Sequence, residues 1–272
     1  MKHFASACAL FAAIVPSLVL AEPFAYVPNE DGGTISIIDT AKDEVIATMK
    51  AGKSPRGIAA HPKQNFIYVS DQPNNALLII DTNKREVVDT VDLGESPEGV
   101  YISPDGKWVA VAVELSNAVA LINTESKKRE ANIKVKGKNP EHAVFSQDGK
   151  WIYVSAEDAD QVDVIDMSKR EQVTQIPVGQ RPRGIGFLPD GGRAYVACEI
   201  ASEVYAIAVP EHKVAAKIKG GTFSNGVAIH PTSKRVYVSN GKDATVSVID
   251  TESNKIIQTI EVGKRPWNMD VT

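Results

Sequence analysis

An internal repeat of 42 residues constrains this chain more than any other feature. Ile38-Asp39-Thr40 returns as Ile80-Asp81-Thr82, Ile122-Asn123-Thr124, Ile165-Asp166-Met167 and Ile249-Asp250-Thr251, with Ile207-Ala208-Val209 as a degenerate copy. A second track keeps the same interval: Tyr26-Val27, Tyr68-Val69, Ala110-Val111, Tyr153-Val154, Tyr195-Val196 and Tyr237-Val238. A third runs through Pro55, Pro97, Pro140, Pro182, Ser224 and Pro266. A fixed period of this length marks a chain built from stacked supersecondary units, each burying its apolar face on the next.

Each unit reads as four short strands. In the second, Gly57-Ile58-Ala59-Ala60 is small and apolar and suits a crowded centre. Phe66-Ile67-Tyr68-Val69 is aromatic and β-branched, which favours a pleated, buried surface. Ala76-Leu77-Leu78-Ile79-Ile80 is a third, buried strand, and Val87-Val88-Asp89-Thr90-Val91 alternates toward solvent as the outermost one. Turn residues such as Asp71-Gln72-Pro73-Asn74-Asn75 separate them. Four strands per repeat is the pattern of a propeller blade; the apolar spacing of three and four that a helical solenoid needs is absent. The Asp of each Ile-Asp-Thr trio is expected to bond its own following backbone as an Asx turn.

The fold expected is therefore an all-β propeller of four-stranded blades. After the first 21 residues the chain opens with three strands of a blade, Phe24–Val27, Ile35–Ile38 and Val45–Met49. Its last residues, Trp267–Thr272, align with an innermost strand. These ends complement one another, which predicts six blades closed by the C-terminal strand joining the N-terminal blade. A seven-bladed ring of which one blade is missing from the sequence stays open as the alternative.

The first 21 residues are of another kind. Lys2 and His3 precede an apolar run from Phe4 to Leu20, and Ala21 stands where a signal peptidase would cut. This is the pattern of a secretory leader, so the expected domains are a signal peptide at 1–21 and a single propeller at 22–272. Pro16 and the shortness of the run argue against a membrane span. Export to the periplasm follows as an expectation. Loss of Lys2 takes the formal charge from -4 to -5, which disfavours non-specific nucleic-acid binding. Cys8 lies in the leader and leaves Cys198 alone, so no intramolecular disulfide is expected; Cys198 reads as a small residue at a strand end.

The repeat resembles the YVTN family of β-propellers. The resemblance rests on Tyr68-Val69-Ser70-Asp71, Tyr153-Val154-Ser155-Ala156 and Tyr237-Val238-Ser239-Asn240, on the Ile-Asp-Thr trios, and on the Ser-Pro-Arg-Gly and Arg-Pro-Arg-Gly loops. It covers the whole chain after the leader. The ending Arg265-Pro266-Trp267-Asn268-Met269 and the exported context are most similar to the propeller proteins associated with PQQ-dependent alcohol catabolism in Gram-negative bacteria. That branch is typically seven-bladed, one unit more than this sequence carries. The resemblance implies work near periplasmic alcohol oxidation, with a quinoprotein dehydrogenase or its cytochrome as partner. No bound cofactor is expected: there is no Cys-x-x-Cys-His for covalent haem, and no adjacent cysteine pair or tryptophan docking pattern of the PQQ dehydrogenases.

Repeat logic places one residue per blade at the mouth of the central channel, on the upper face: Arg56, Glu98, Glu141, Arg183, Asn225 and Trp267. The framework is constant while the chemistry varies, as suits a binding site on a rigid scaffold. His142 stands where Gly57, Gly99, Gly184 and Gly226 stand in other units. With Glu98 and Glu141 near it, metal binding or proton transfer is the chemistry it offers. Asp71, Glu114, Glu157 and Glu199, in the loops between second and third strands, form an expected acidic rim on the same face. His61 and His230 precede prolines on the opposite face and read as turn residues. Three functions are compatible with this pattern: a non-catalytic periplasmic binding or scaffold protein, a propeller enzyme such as a lactone hydrolase with its site at the channel mouth, and a cell-surface adhesion module. The first is the reading adopted, because only His142 meets the requirement of the second and no sorting signal supports the third.

Overall fold

The computed structural model describes residues 24–271 apart from residue 233; the leader expected at residues 1–21 lies outside this range. Among the described residues twenty-three strands form six antiparallel sheets in chain order. The first sheet holds β1 (Phe24–Asn29), β2 (Thr34–Asp39) and β3 (Glu44–Lys50). The second holds β4 (Pro55–Ala60), β5 (Phe66–Asp71), β6 (Ala76–Asp81) and β7 (Glu86–Asp92), and the third β8 (Pro97–Ile102), β9 (Trp108–Val113), β10 (Ala118–Asn123) and β11 (Lys128–Lys134). The fourth holds β12 (Pro140–Phe145), β13 (Trp151–Ala156), β14 (Gln161–Asp166) and β15 (Glu171–Pro177). The fifth holds β16 (Pro182–Phe187), β17 (Arg193–Cys198), β18 (Glu203–Ala208) and β19 (Lys213–Lys219); the sixth holds β20 (Ser224–Ile229), β21 (Arg235–Asn240), β22 (Thr245–Asp250) and β23 (Lys255–Glu261). The fold is a six-bladed β-propeller. Among the described residues no helix is long and apolar enough to cross a membrane.

The trio aspartates do what their chemistry predicts. Asp39, Asp81, Asp166 and Asp250 each accept backbone amides two or three residues on, and Asn123 does the same. His61 and His230 accept turn amides through Nδ1. Cys198 closes β17, fully buried, and burial pushes its thiol up to about 12.

The blades are joined in two ways. Apolar clusters fill each joint: Tyr68, Leu77 and Ile79 of the second sheet pack on Val100, Val109 and Val111 of the third, and similar clusters follow around the ring. Fully burying one such side chain is worth about 1.5–3 kcal/mol, so these joints dominate stability. Nearer the axis, the serine of the Tyr-Val-Ser segment ties strands of adjacent sheets. Ser70 Oγ accepts the Gly57 amide at 2.9 Å and donates to the Glu98 carbonyl of the next sheet at 2.8 Å. The neighbour comes so close that a β-carbon on Gly57 would lie 2.5 Å from that carbonyl oxygen and 2.7 Å from the Val100 amide nitrogen.

The seam between first and last sheets departs from the sequence expectation. The first sheet keeps three strands, and residues 262–271 enter no ladder. The end of the chain does lie where the closing innermost strand is expected, beside β20, without pairing to β1: Ser239 donates to the Trp267 carbonyl as Ser70 does to Glu98. Five apolar clusters join the six sheets in sequence, and among the described residues none joins the sixth to the first. Val27 is accordingly 42% exposed where Val69, Val111 and Val154 are sealed, and Ile260 is 37% exposed where Ile218 is 5%.

Candidate binding site at the channel mouth

The second residue of each innermost strand faces the channel at its upper end. β4, β8, β12, β16 and β20 supply Arg56, Glu98, Glu141, Arg183 and Asn225, and Trp267 follows from the unladdered segment. The structure brings most of them together. Arg56 Nη1 lies 2.6 Å from Glu98 Oε1 and its Nε 3.5 Å from Glu30. Gln72 Nε2 donates to the same Glu98 oxygen at 2.7 Å. Arg183 Nη1 lies 2.7 Å from Glu157 and 3.2 Å from Glu141, while its Nε lies 3.4 Å from Glu199. The Arg183 guanidinium also stands over the Trp267 ring, 5.1 Å from its centroid, and Arg265 does likewise. Asn225 is sealed and its Nδ2 has no hydrogen-bond partner among the described residues.

This is a buried layer rather than an open rim. Glu98, Glu141, His142, Arg183 and Asn225 are all nine-tenths or more buried, and Arg56 and Trp267 are half-buried. The expected acidic rim does not form as drawn. Asp71 is sealed and spent on the Lys53 and Ser54 amides. Glu157 and Glu199 turn inward to ion-pair with Arg181 and Arg183, and Glu114 accepts the Ser96 hydroxyl at 2.8 Å.

Two participants escaped the sequence reading. Arg181 supplies a second guanidinium to Glu157 and Glu199. It precedes a proline of the third track, where Ser54, Ser96, Asn139, Phe223 and Arg265 stand in other units. Tyr101 is the other: its hydroxyl lies 2.6 Å from His142 Nδ1. In its track the other residues are Ala59, Val144, Gly186, Ala228 and Asp270, so the tyrosine stands out by size. The imidazole fills the space that Gly99 leaves empty, with Nδ1 3.2 Å from where a β-carbon would sit.

Burial governs the protonation states here. It pushes Glu98 up to about 8, helped by Glu141 and opposed by Arg56. It raises Glu157 against the pull of Arg183. Burial, with Arg183 and Arg56 nearby, takes His142 down to about 3, so its imidazole is neutral at neutral pH. Burial and Glu141 likewise raise Tyr101 and keep its hydroxyl protonated. Among the described residues no group of three or more His, Cys, Asp or Glu side chains is placed to hold a metal ion. What the arrangement offers is a fixed, largely self-neutralised charge layer with Arg56, Arg181 and Trp267 at its accessible edge.

Glu98 yields a direct expectation. Its folded value lies above the ordinary 4.5, so its contribution is complete below that value and is lost as pH rises through about 8. The wild type should lose melting temperature across that rise. Glu98→Gln, which cannot ionise, should flatten this limb in thermal melts; an unchanged slope overturns the assignment.

Six antiparallel sheets around a channel, its mouth taking one variable residue from each of the five four-stranded sheets and Trp267 from the last segment, define a β-propeller of repeat type. The YNCE-like beta-propeller family model matches residues 35–235, most of the chain, and the protein belongs to that family. Among solved structures, hydrazine synthase of Kuenenia stuttgartiensis is similar in fold, with a TM-score of 0.82 at 19% identity over 91% of this chain and 86% of that one. No curated protein matches the chain.

Proposed function

We propose that the protein is an exported, non-catalytic binding or scaffold protein whose partner seats on the upper face around the channel mouth. The observation that carries this reading is the mutual pairing of the mouth charges. Arg183 is held by Glu141, Glu157 and Glu199, and Arg56 is hydrogen-bonded to Glu98, which burial keeps largely protonated at neutral pH, so these groups are engaged with one another. A general base or nucleophile needs a free, correctly ionised group; a docking surface needs a rigid frame with Arg and Trp at its edge, the residue types enriched at interface hot spots. The similarity of the repeat and the C-terminal Arg-Pro-Trp segment to PQQ-catabolism propellers points to a periplasmic quinoprotein dehydrogenase or its cytochrome as partner.

The test is co-purification from periplasm with identification by mass spectrometry, comparing wild type with the triple variant Arg56→Ala, Arg181→Ala, Trp267→Ala. Arg183 is spared because its removal strips three buried carboxylates of their counter-charge. The dehydrogenase or cytochrome should accompany the wild type and be lost from the folded variant, and the recovered chain should begin at Glu22. Retention of every partner by the variant places the surface elsewhere. A neutral imidazole beside buried carboxylates favours the lactone-hydrolase reading as the second; lactone turnover by purified wild type, abolished in His142→Ala, would decide for it.

A further inference from the structure

The charged members of the ring at the channel mouth are engaged with one another: Arg56 bonds Glu98, and Arg183 meets Glu141. Asn225 is different. It is 2% exposed, its Nδ2 has no hydrogen-bond partner, and no hydrogen bond holds its Oδ1 among the described residues. Exchanging the two amide atoms leaves the same deficit, one donor and one acceptor unspent. A buried donor left unmade costs more than a typical hydrogen bond returns. Asn29 and Asn240, at the ends of β1 and β21, avoid that cost by donating Nδ2 to the hydroxyls of Thr34 and Ser36 and of Thr245 and Ser247. Asn225 has no such hydroxyls to reach, and it stands in the layer that carries the mouth.

Its neighbours explain why it is sealed. β20 lies between β16 and the last segment, and the backbones approach closely on both sides: a β-carbon on Gly184 would come 2.7 Å from the Asn225 carbonyl oxygen, and one on Gly226 3.0 Å from Asn268 Cα. Arg183 and Trp267 reach toward each other from these two flanks, 5.1 Å from guanidinium to ring centroid, and close over the residue between them. Arg183 is fixed by Glu141, Glu157 and Glu199. Trp267 is half-buried and belongs to a segment that enters no ladder; Ser239 holds its carbonyl, while its ring meets the guanidiniums of Arg183 and Arg265. The indole is therefore the side of this arch that can turn aside.

We propose that Asn225 is the recognition group of the mouth and takes a primary carboxamide, the end of an Asn or Gln side chain on the docked partner, which enters as Trp267 turns aside. This rests on the reading of the mouth as a docking surface and names the chemistry that surface reads. A primary carboxamide carries its carbonyl and an N–H on one edge, so it meets the Asn225 amide in a cyclic pair of two hydrogen bonds. A trans peptide group carries them on opposite edges and makes one of the two. The carboxamide is also neutral, and the recess has no place for an ion. Glu141, Glu157 and Glu199 already surround Arg183, with Arg181 beside two of them. A further anion is repelled by these carboxylates and a cation by the guanidiniums, at distances where such repulsion is strong.

Acetamide is the probe, and the side-chain N–H signals of the isotope-labelled protein are the NMR readout. The Asn225 amide protons and the Trp267 indole proton should shift together and saturably with acetamide. N,N-dimethylacetamide, which keeps the carbonyl but has no N–H, and sodium acetate at equal ionic strength should shift neither. Asn225→Leu should melt no lower than the wild type, because it removes an unsatisfied amide, and should bind acetamide about thirtyfold more weakly, as expected for two hydrogen bonds. No shift with acetamide, an equal response to dimethylacetamide, or an Asn225 amide that exchanges with a bound water only overturns the proposal. Should the variant fail to fold, the comparison of acetamide with dimethylacetamide on the wild type decides. None of this needs a partner, so a failed co-purification leaves the result standing, and a mouth that keeps its partner but ignores acetamide overturns the carboxamide alone. In the co-purification, Asn225→Leu should lose the partner; a partner fully retained overturns its side chain as the source of the carboxamide.

Discussion

Gly57→Ala is expected to cost about 3 kcal/mol, the upper part of the range for overpacked sites, and to lower the melting temperature by about 10 °C. The added carbon meets backbone rather than a side chain. It would lie 2.5 Å from the Glu98 carbonyl oxygen, 2.7 Å from the Val100 amide nitrogen and 3.1 Å from the Gly99 carbonyl carbon. A side chain could rotate away; a strand held in its own ladder cannot. The second and third blades must therefore part near the axis. That also stretches the Ser70 link from the Gly57 amide to the Glu98 carbonyl and the 2.6 Å pair of Arg56 with Glu98. Gly263→Ala is the control, since nothing lies within 4 Å of its added carbon; its melting should match the wild type. Equal melting of the two variants by calorimetry would show that the innermost strands have slack at this joint.

The same glycine shows what the sequence could reveal and what it could not. A period of 42 residues, a proline and then a glycine at most innermost strands, and serines after Tyr-Val were all visible as tracks. They led to four-stranded blades, Asx turns at Asp81 and Asp166, and a ring containing Arg56, Glu98, Glu141 and Arg183. Repeat arithmetic fixes angular position and height along the channel, because those follow from strand register. It carries no information on depth or on which neighbour a flexible side chain reaches. Glu157 and Glu199 therefore read as a solvated rim, although they fold inward onto Arg181 and Arg183. Asp71 read as part of that rim although it caps a loop. The contact of Tyr153 with His212 was hidden for a related reason: the two lie in different repeats, and only the left-handed turn at His212 aims one at the other.

Arg183→Leu should be the most damaging single change at the mouth, about 4 kcal/mol at neutral pH, as is usual when one partner of a buried ion pair is removed. The Arg183 side chain is 6% exposed and its guanidinium stands among Glu141, Glu157 and Glu199, with Arg181 as the remaining cation beside two of them. Leucine fills part of the volume yet leaves carboxylates in a poorly hydrated place without their counter-charge. It also removes the cation over Trp267, a contact worth about 1 kcal/mol where partly desolvated. The pH dependence separates this cause from simple loss of packing. Arg183 lowers Glu157 against burial, which already holds it above its ordinary range; without the guanidinium it rises further. A carboxyl raised in the folded state stabilises when protonated, and that contribution is lost as pH rises. The deficit of Arg183→Leu should accordingly shrink toward about pH 5 and widen above neutrality, measured as melting temperature against the wild type at each pH. Arg183→Lys keeps the charge but not the planar group whose Nη1 reaches Glu141 and Glu157 while its Nε reaches Glu199, and should fall between the two. A deficit that is the same at every pH would assign the role of Arg183 to packing on Trp267, and a variant as stable as the wild type would remove the charge layer from the account of how these blades are held.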